Sequence, residues 1–506
     1  MPRSLFKDYG NRETQRPQDE VKQTMKEVTL SYLEEMERDS QFFRSNPLRA
    51  IATFDPTELE LNTCLGMGEF GVVLEVENIH LNHPAATTKP LHRFNSKSCG
   101  AFPTFHHHYD CFVESLSWGQ MQQLRQTLAS KVNRDSTDEE HDHDQINASA
   151  NFKIRRRSTG PRHQARFAVK QIRKDMYPKK KVEAGKDLAR EAKLLSRLEH
   201  PNIIRLRAVV GEPGEDDFML FFDRLGITLS EKVTQWHQQL ATTSTGLPLP
   251  WKLAAASSQR RILERGVLSE RLLALYDVAR AMHHLHQKSI LFRDLKAENV
   301  AQNHHGAFQL LDFGLAKELK ERDRFLPVAK EEEGDNSEND TDFDVSVRTS
   351  CCKEYADVYK LTGLTGTMRI MSPEVLQCQP YGLSADVYSY GILLWEVFQG
   401  ERNRLAPHEI VKGQRPELPV VGMPPRIESL VKKCYGDPAF RPTFAMLSQE
   451  LEYQLIEFHQ AEWPTREADT NVPISLDKSI MSRLEYLREL SLRSLAASTS
   501  AVTAVE

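Results

Sequence analysis

Three glycines, Gly66, Gly68 and Gly71, follow the pattern Gly-x-Gly-x-x-Gly, a spacing that suits the binding of a phosphate group. A glycine has no Cβ atom, so backbone N–H groups beside it can approach phosphate oxygens closely. The pattern lies between two strand-like runs, which disfavours a dinucleotide-binding turn because that turn needs a helix N-terminus. No Gly-Lys-Ser/Thr follows, so a Walker loop is excluded. A phosphate-binding hairpin and an ordinary flexible hairpin both remain open on this pattern alone.

Elements that could position this loop follow along the chain. Strand-like sequence covers residues 59–79 and returns at 166–172, and between them residues 79–165 are rich in His, Ser and Asp without a clear period. We interpret this segment as a largely disordered insertion, because structureless loops longer than about 15 residues are rare in compact domains. A helical stretch, more strands and then mainly helical sequence follow. We expect two further insertions, at about residues 238–262 and 318–358, the last with an acidic run.

The two ends of the chain each show one amphipathic pattern. Residues 1–57 form an N-terminal extension, and residues 461–506 form a C-terminal helical tail. In the first, apolar residues recur every three or four positions at Val21, Met25, Val28, Tyr32 and Met36. In the second, the apolar residues of the amphipathic pattern are Ile480, Leu484, Leu487, Leu490 and Leu495. For the first helix we favour docking on the main domain over binding to a separate partner.

Composition excludes several classes of protein. The chain has 506 residues and a net charge of −5, which argues against a protein that binds nucleic acid through a bulk basic surface. Its 7 Cys include no Cys-x-x-Cys pattern, as expected in a reducing compartment. No signal-peptide core and no apolar run of about 20 residues is found, so we expect no membrane partner. We expect an intracellular, cytoplasmic protein, with the nucleus open because residues 178–181 read Pro-Lys-Lys-Lys.

Further motifs follow the glycine loop in a fixed order. They are Ala168-Val169-Lys170, Glu191 nine residues before His200-Pro201-Asn202, Phe292-Arg293-Asp294-Leu295-Lys296-Ala297-Glu298-Asn299, Asp312-Phe313-Gly314, Ser372-Pro373-Glu374, Asp386-Val387-Tyr388-Ser389-Tyr390-Gly391, Trp395 and Arg441-Pro442-Thr443. Together these motifs resemble the eukaryotic protein kinases over roughly residues 59–458, apart from the insertions. Within this family the resemblance is to the tyrosine-kinase-like group of serine/threonine kinases.

The resemblance implies an α+β, two-lobed protein kinase fold over residues 58–460, with ATP in the cleft. The smaller lobe is expected to be a five-stranded antiparallel sheet with one helix, the αC helix, and the larger lobe mainly helical. It also implies that Lys170 holds the α and β phosphates and that Glu191 holds Lys170 by an ion pair. The residues implied to bind ATP are Leu65, Gly66, Gly68, Phe70, Gly71, Val73, Ala168, Lys170, Asp223 and Leu225.

The catalytic residues are implied by the same resemblance. Asp294 is the base that accepts the substrate hydroxyl proton, and Lys296 contacts the γ-phosphate. Asn299 and Asp312 are the implied ligands of Mg²⁺, a hard ion that prefers oxygen donors. ATP and Mg²⁺ are therefore the expected cofactors.

Other positions are expected to support these residues. Asp386 would hold the backbone of the catalytic loop, Glu374 and Arg441 would form a buried ion pair, and Phe222 would guard the adenine pocket. Phe292 stands where kinases usually have histidine, and we expect its ring to stack on Phe313. Thr362 and Thr365 are candidate sites of activating phosphorylation, and Thr367 is expected to contact the catalytic loop.

These residues predict transfer of the ATP γ-phosphate to Ser or Thr of a protein substrate, with an upstream activating kinase as a further partner. A scaffold that keeps the fold without catalysis is the alternative from another class. Such scaffolds commonly lack the lysine, the base or the metal ligand, and all are present here. Dual specificity for Ser/Thr and Tyr is the alternative within the enzyme class. Oligomeric state is not predicted.

Overall fold

The computed structural model describes residues 18–68, 71–81, 118–133, 166–242, 253–325 and 357–462. The chain divides into two compact units. The first comprises Met1–Arg38, Leu48–Ser196 and Leu206–Phe222, and the second comprises Asp39–Pro47, Arg197–Arg205 and Asp223–Glu506. The predicted C-terminal helix and the acidic run at 331–344 lie outside the described residues.

A six-stranded sheet forms the centre of the first unit, with the strand order β1-β5-β6-β4-β3-β2. Its helices and strands are α1 (Gln18–Glu37), β1 (Ala52–Phe54), β2 (Leu59–Met67), β3 (Gly71–Ile79), α3 (Trp118–Asn133), β4 (Phe167–Ile172), α4 (Pro178–Leu195), β5 (Leu206–Val210) and β6 (Met219–Asp223). Valine, isoleucine and phenylalanine dominate the central strands, as their fit to a pleated, buried surface requires.

The sheet confirms the predicted small lobe and differs from it in one strand. β2, β3 and β4 pair antiparallel in sequence, and so do β5 and β6. The predicted number of five strands is wrong, because β1 adds a sixth strand, and this strand pairs parallel with β5 in an otherwise antiparallel set of pairs. This strand has only three residues, so its sequence carries no recognisable alternation.

The segment at residues 79–165, predicted to be largely disordered, contains the helix α3. α3 packs on β1 and β3 and contributes Ala129 and Val132 to the core of the sheet. Asn133 fixes its end to β3, because its side chain accepts the N–H of Ile79 at 3.1 Å and donates to the carbonyl of Ile79 at 3.0 Å. This part of the insertion is therefore an integral layer of the first unit.

α1 packs along α4, the αC helix of the sequence prediction. Among residues 25–37 of α1, whose burial the structure describes, Met25, Thr29 and Leu33 are buried, while Tyr32 is partly exposed. The predicted docking of this helix on the main domain is confirmed, although its buried face is rotated from the predicted one.

The second unit is mainly helical, as predicted. Its helices and strands are α2 (Gln41–Ser45), α5 (Leu229–Thr242), α6 (Leu253–His286), β7 (Ile290–Leu291), β8 (Val300–Gln302), β9 (Phe308–Leu310), β10 (Lys317–Glu318), α7 (Pro373–Leu376), α8 (Ser384–Gln399), α9 (Pro407–Val411), α10 (Pro425–Cys434) and α11 (Phe444–Glu462). α8 is apolar on nearly all sides and is buried by α6, α10 and other helices. β7 pairs with β10 and β8 with β9, and these short ribbons carry the loops described below.

Helices and a strand extend into two of the predicted insertions. Within residues 238–262, α5 extends to Thr242 and α6 begins at Leu253, so polar composition concealed helical ends. Within residues 318–358, Glu318 belongs to β10 and a short 3-10 helix covers Glu321–Asp323. The residues between Phe325 and Asp357 lie outside the described part of the chain.

Candidate active site

Lys170 and Glu191 form an ion pair inside the first unit. Lys170 lies on β4, and its Nζ atom is 2.6 Å from Oε2 of Glu191 on α4. Only 1% of Glu191 is exposed, so its carboxylate is held away from water. Apolar residues at the three- and four-residue spacing of α4 bury the same face. The pairing that the sequence predicted is therefore formed, with the lysine directed by a buried anion.

The glycine loop lies next to this pair on the hairpin of β2 and β3. Val73 stands opposite Lys170 in the sheet, and the N–H of Gly68 donates to the carbonyl of Gly71 at 2.8 Å. A Cβ atom at Gly71 would lie 3.6 Å from Cε of Lys170 and 3.3 Å from the carbonyl of Gln171, so this position needs a small residue.

The other predicted nucleotide-binding residues of the first unit occupy neighbouring strands. Gly66 and Leu65 lie on β2, and a Cβ atom at Gly66 would meet nothing within 4 Å, which leaves space beside the backbone. Ala168 lies buried on β4. Phe70 lies outside the described residues.

Asp294 lies at the centre of a hydrogen-bond network in the second unit. Its Oδ2 atom accepts from Lys296 Nζ at 2.6 Å and from Asn299 Nδ2 at 2.9 Å, while its Oδ1 atom accepts the N–H of Thr367 at 3.0 Å. Lys296 also donates to Oγ1 of Thr367, at 2.8 Å. The network fixes the carboxylate beside one cation and one hydroxyl, which suits a base that must point at an incoming hydroxyl group.

Asp386 on α8 holds the backbone of this catalytic loop through hydrogen bonds. Its carboxylate accepts the N–H of Phe292 at 2.8 Å and that of Arg293 at 2.9 Å, as predicted. The ring of Phe292 contacts Phe313 with centroids 5.2 Å apart, as predicted, but the rings meet edge-on rather than stacked. His286 was not among the predicted residues, and its Nε2 atom is 3.0 Å from Oδ2 of Asp386. Its place at the end of α6, just before the loop, was the only signal.

Asn299 and Asp312 stand next to each other, because the N–H of Leu311 donates to the carbonyl of Asn299 at 2.9 Å. The amide nitrogen of Asn299 is bound to Asp294, which orients its Oδ1 atom as an acceptor. Asp312 adopts a left-handed backbone conformation with φ of 61°. One carboxylate and one amide oxygen fit Mg²⁺, which binds to few protein ligands and completes its octahedron with phosphates and water. Within the described residues no cluster of three or more His, Cys, Asp or Glu suggests a different metal site.

Arg293 connects the catalytic loop to the segment that follows Asp312. Its Nε atom donates to the carbonyl of Leu315 at 2.6 Å, and its Nη1 atom donates to Oγ1 of Thr362 at 3.3 Å. The hydroxyls of Thr362 and Thr365 are 3.1 Å apart. Tyr381, which the sequence analysis missed, donates to the carbonyl of Thr362 at 2.7 Å. Burial raises the pKa of Tyr381, so its phenol stays protonated and remains a donor.

The predicted buried ion pair closes the other end of this segment. Arg441 Nη1 lies 2.5 Å and Nη2 3.1 Å from the two carboxylate oxygens of Glu374, and 1% of Arg441 is exposed. The predicted adenine-pocket residues follow β6, where Phe222 is buried and Asp223 is the last residue of the strand. Leu225 lies two residues after Asp223 and directly before Gly226, whose N–H donates to the carbonyl of Gln302 at 2.7 Å.

Two sequence models of known families match this chain. The protein kinase domain matches residues 153–337, and the protein tyrosine and serine/threonine kinase family matches residues 341–451. Together they cover more than half of the chain and include both Lys170 and the catalytic loop. The chain belongs to the protein kinase family. The glycine hairpin precedes the matched region in sequence, and the structure brings it to the kinase strand β4.

Relatives of this kinase include proteins of Arabidopsis thaliana and Dictyostelium discoideum. It is 34% identical to serine/threonine-protein kinase STY17 of Arabidopsis thaliana over 36% of this chain and 26% of that protein. It is 28% identical to serine/threonine/tyrosine-protein kinase HT1 of Arabidopsis thaliana over 57% of this chain and 60% of that protein. It is 29% identical to serine/threonine-protein kinase VIK of the same plant over 53% and 50%. The chain thus spans between about a quarter and three fifths of these relatives.

None of the described helices combines the length and the apolar composition that a membrane span requires.

Proposed function

We propose that this kinase transfers the γ-phosphate of ATP to Ser or Thr hydroxyls of protein substrates. One observation carries the proposal: Asp294, Lys296, Asn299 and Thr367 form a closed network around one carboxylate. Phosphoryl transfer needs positioning and charge neutralisation more than covalent chemistry. A carboxylate beside a lysine and an ordered amide supplies both requirements.

Each residue then has a defined task. Lys170, held by Glu191, binds the α and β phosphates, and the backbone of the glycine hairpin covers the phosphates. Asp294 accepts the proton of the attacking hydroxyl, and Lys296 neutralises charge on the γ-phosphate. When bound by Asn299 and Asp312, Mg²⁺ supplies further neutralisation of the triphosphate.

The acceptor is proposed to be Ser or Thr for two reasons. Lys296 bonds both Asp294 and Thr367, a pairing that the resemblance assigns to serine/threonine kinases. STY17 and VIK are also named serine/threonine kinases. HT1 is named a serine/threonine/tyrosine kinase, which keeps dual specificity as the second candidate. We further propose a kinase domain over residues 58–460, an upstream activating kinase acting at Thr362 or Thr365, and an intracellular location.

The test is a transfer assay with radiolabelled ATP, magnesium and a generic Ser/Thr substrate, run beside Asp294→Asn. Asparagine keeps the size of the side chain and removes the basic carboxylate. We expect transfer by the parent and a loss of at least about 100-fold in the variant, the range of general-base catalysis. Phosphoamino-acid analysis of the product separates Ser/Thr from Tyr. ATP binding without transfer by a parent phosphorylated at Thr362 and Thr365 would support the scaffold alternative instead.

A further inference from the structure

We propose that α1 is a positioning element for Glu191 and that it acts through α4. The proposal rests on the proposed kinase function, because Glu191 matters only if Lys170 must hold a nucleotide. It concerns the first unit alone. No motif predicts it, since α1 precedes the region that resembles kinases.

Close packing joins α1 to α4. Gly185 on α4 faces α1, and a Cβ atom at Gly185 would lie 3.5 Å from Sδ of Met25 and 3.7 Å from Oγ1 of Thr29. These are ordinary contact distances, so α4 lies directly against the side chains of α1 at this position. Met25 and Leu33 are each only 2% exposed, so the seam between the helices excludes water.

Polar contacts from α1 also hold α4 on both sides of Glu191. Arg190 precedes Glu191, stacks on the ring of Tyr32 at 5.1 Å and donates from Nε to the Tyr32 hydroxyl. Lys193 follows two positions later, and its Nζ atom lies 2.6 Å from Oε1 of Glu37. Only 1% of Lys193 is exposed, so the carboxylate of Glu37 contributes to compensating its buried charge.

A second anchor fixes α1 to the sheet that carries Lys170. Lys26 bonds Glu212, and its Nζ atom is 2.8 Å from Oε1 of Glu215, both in the turn between β5 and β6. In that turn, Gly214 has φ of 84°, and a Cβ atom there would lie 2.7 Å from Cα of Lys26. The helix therefore rests directly on the turn, where any side chain would push it away.

These contacts form one mechanical connection. α1 is bound to the sheet at Lys26 and to α4 at Tyr32 and Glu37, so it resists rotation or outward movement of α4 relative to β4. The Lys170–Glu191 pair is 2.6 Å long and joins those same two elements. Weakening the grip of α1 should thus lower the fraction of molecules in which the pair is formed, and the turnover rate should fall with that fraction.

The test compares the double variant Tyr32→Phe/Glu37→Gln with the matched control Glu34→Gln in the full chain. Phenylalanine keeps the stacking surface and loses the hydroxyl acceptor, while glutamine removes the charge that faces Lys193. Glu34 lies on the same helix and is exposed. We measure kcat and KM for ATP at a temperature at which circular dichroism shows that each protein is fully folded. We also measure the hydrogen exchange rates of the α4 amides.

For the double variant we expect kcat to fall about tenfold and the α4 amides to exchange faster, with the control within about twofold of the parent. Gly214→Ala should act in the same direction, because it displaces α1 without touching α4. The double variant Glu37→Lys/Lys193→Glu swaps the two charges of the ion pair. It should recover part of the activity that the single variant Glu37→Lys loses.

Unchanged kcat and unchanged α4 exchange in the folded double variant would overturn the inference. So would a loss of activity that only follows the unfolded fraction, since that is the mark of a purely structural helix. An inactive parent would count against the proposed function instead, and in that case the exchange of the α4 amides still decides whether α1 holds α4.

Discussion

Replacing Thr367 by alanine tests how the activation segment positions the catalytic carboxylate. The Thr367 hydroxyl accepts from Lys296 at 2.8 Å, and Lys296 is at the same time 2.6 Å from Asp294. Without the hydroxyl, the ammonium group loses one of two anchors and can turn away from the γ-phosphate. A hydrogen bond to a charged group contributes about 1.5–3 kcal/mol. If the whole loss appears in the transition state, kcat falls by about 10- to 150-fold.

The matched control is Thr367→Ser, which keeps the hydroxyl and removes only a methyl group. The backbone N–H of residue 367 still reaches Asp294 in both variants, so the two proteins differ mainly in the Lys296 contact. Steady-state kinetics should show Thr367→Ser within about threefold of the parent and Thr367→Ala far below it, with KM for ATP little changed. Equal kcat values for the two variants would refute the reasoning, because the hydroxyl would then have no role in holding Lys296.

Two predictions concern stability. Glu374→Ala should cost about 3–5 kcal/mol because it leaves the buried Arg441 guanidinium without its anion, and the thermal midpoint should fall by roughly 6–15 °C. The second prediction is a loss of stability at acidic pH. Burial lowers the pKa of His200 from 6.5 to about 3 and the pKa of His284 from 6.5 to about 4. The unfolded chain therefore binds more protons below pH 6.5, and stability should decrease by about 2 kcal/mol between pH 7 and pH 5 after allowance for partial exposure. His284→Phe should remove about half of that decrease.

Denaturant titrations check both predictions. A change below about 1 kcal/mol for Glu374→Ala, the range of an exposed pair, would contradict the buried ion pair. Glu374→Gln is its control, since it keeps a hydrogen-bond acceptor and should cost less. For the histidines, parent and His284→Phe are compared at pH 7 and pH 5, and equal acid sensitivity would contradict burial as the cause. The rings stack at 5.0 Å, and phenylalanine preserves that contact.

The catalytic loop could be predicted closely because chemistry limits its residue types. Asp294 and Asn299 are five residues apart in one short loop, so their proximity follows from the sequence itself. The contact of Phe292 with Phe313 and the support from Asp386 came from the family pattern, and the structure has both. Local spacing and a known constellation were sufficient in these cases.

Tertiary packing explains what the sequence analysis missed. In α3, Leu124, Leu128 and Val132 recur at four-residue spacing, a helical signal that the surrounding polar sequence concealed. The position of α3 depended on apolar residues far away on β1 and β3, which no local pattern reveals. In α1 the predicted face included Val28, but Thr29 is fully buried because it lies against α4. A neighbouring surface, rather than periodicity alone, selects which residues of an amphipathic helix are covered.

The parallel pairing of β1 with β5 has a consequence for the folding of this protein during its synthesis on the ribosome. Ala52 pairs with Ala208, and the ring of Phe54 packs against Phe221 at 6.1 Å. The glycine hairpin and α3 are synthesised between these partners, so their apolar faces emerge before the strands that complete the core. The first unit cannot complete its folding until these residues, which are distant in sequence, come into contact. Its folding is therefore slow, and the intermediates expose apolar surface that can aggregate. We expect the nascent chain to rely on chaperones until residue 221 has left the exit tunnel.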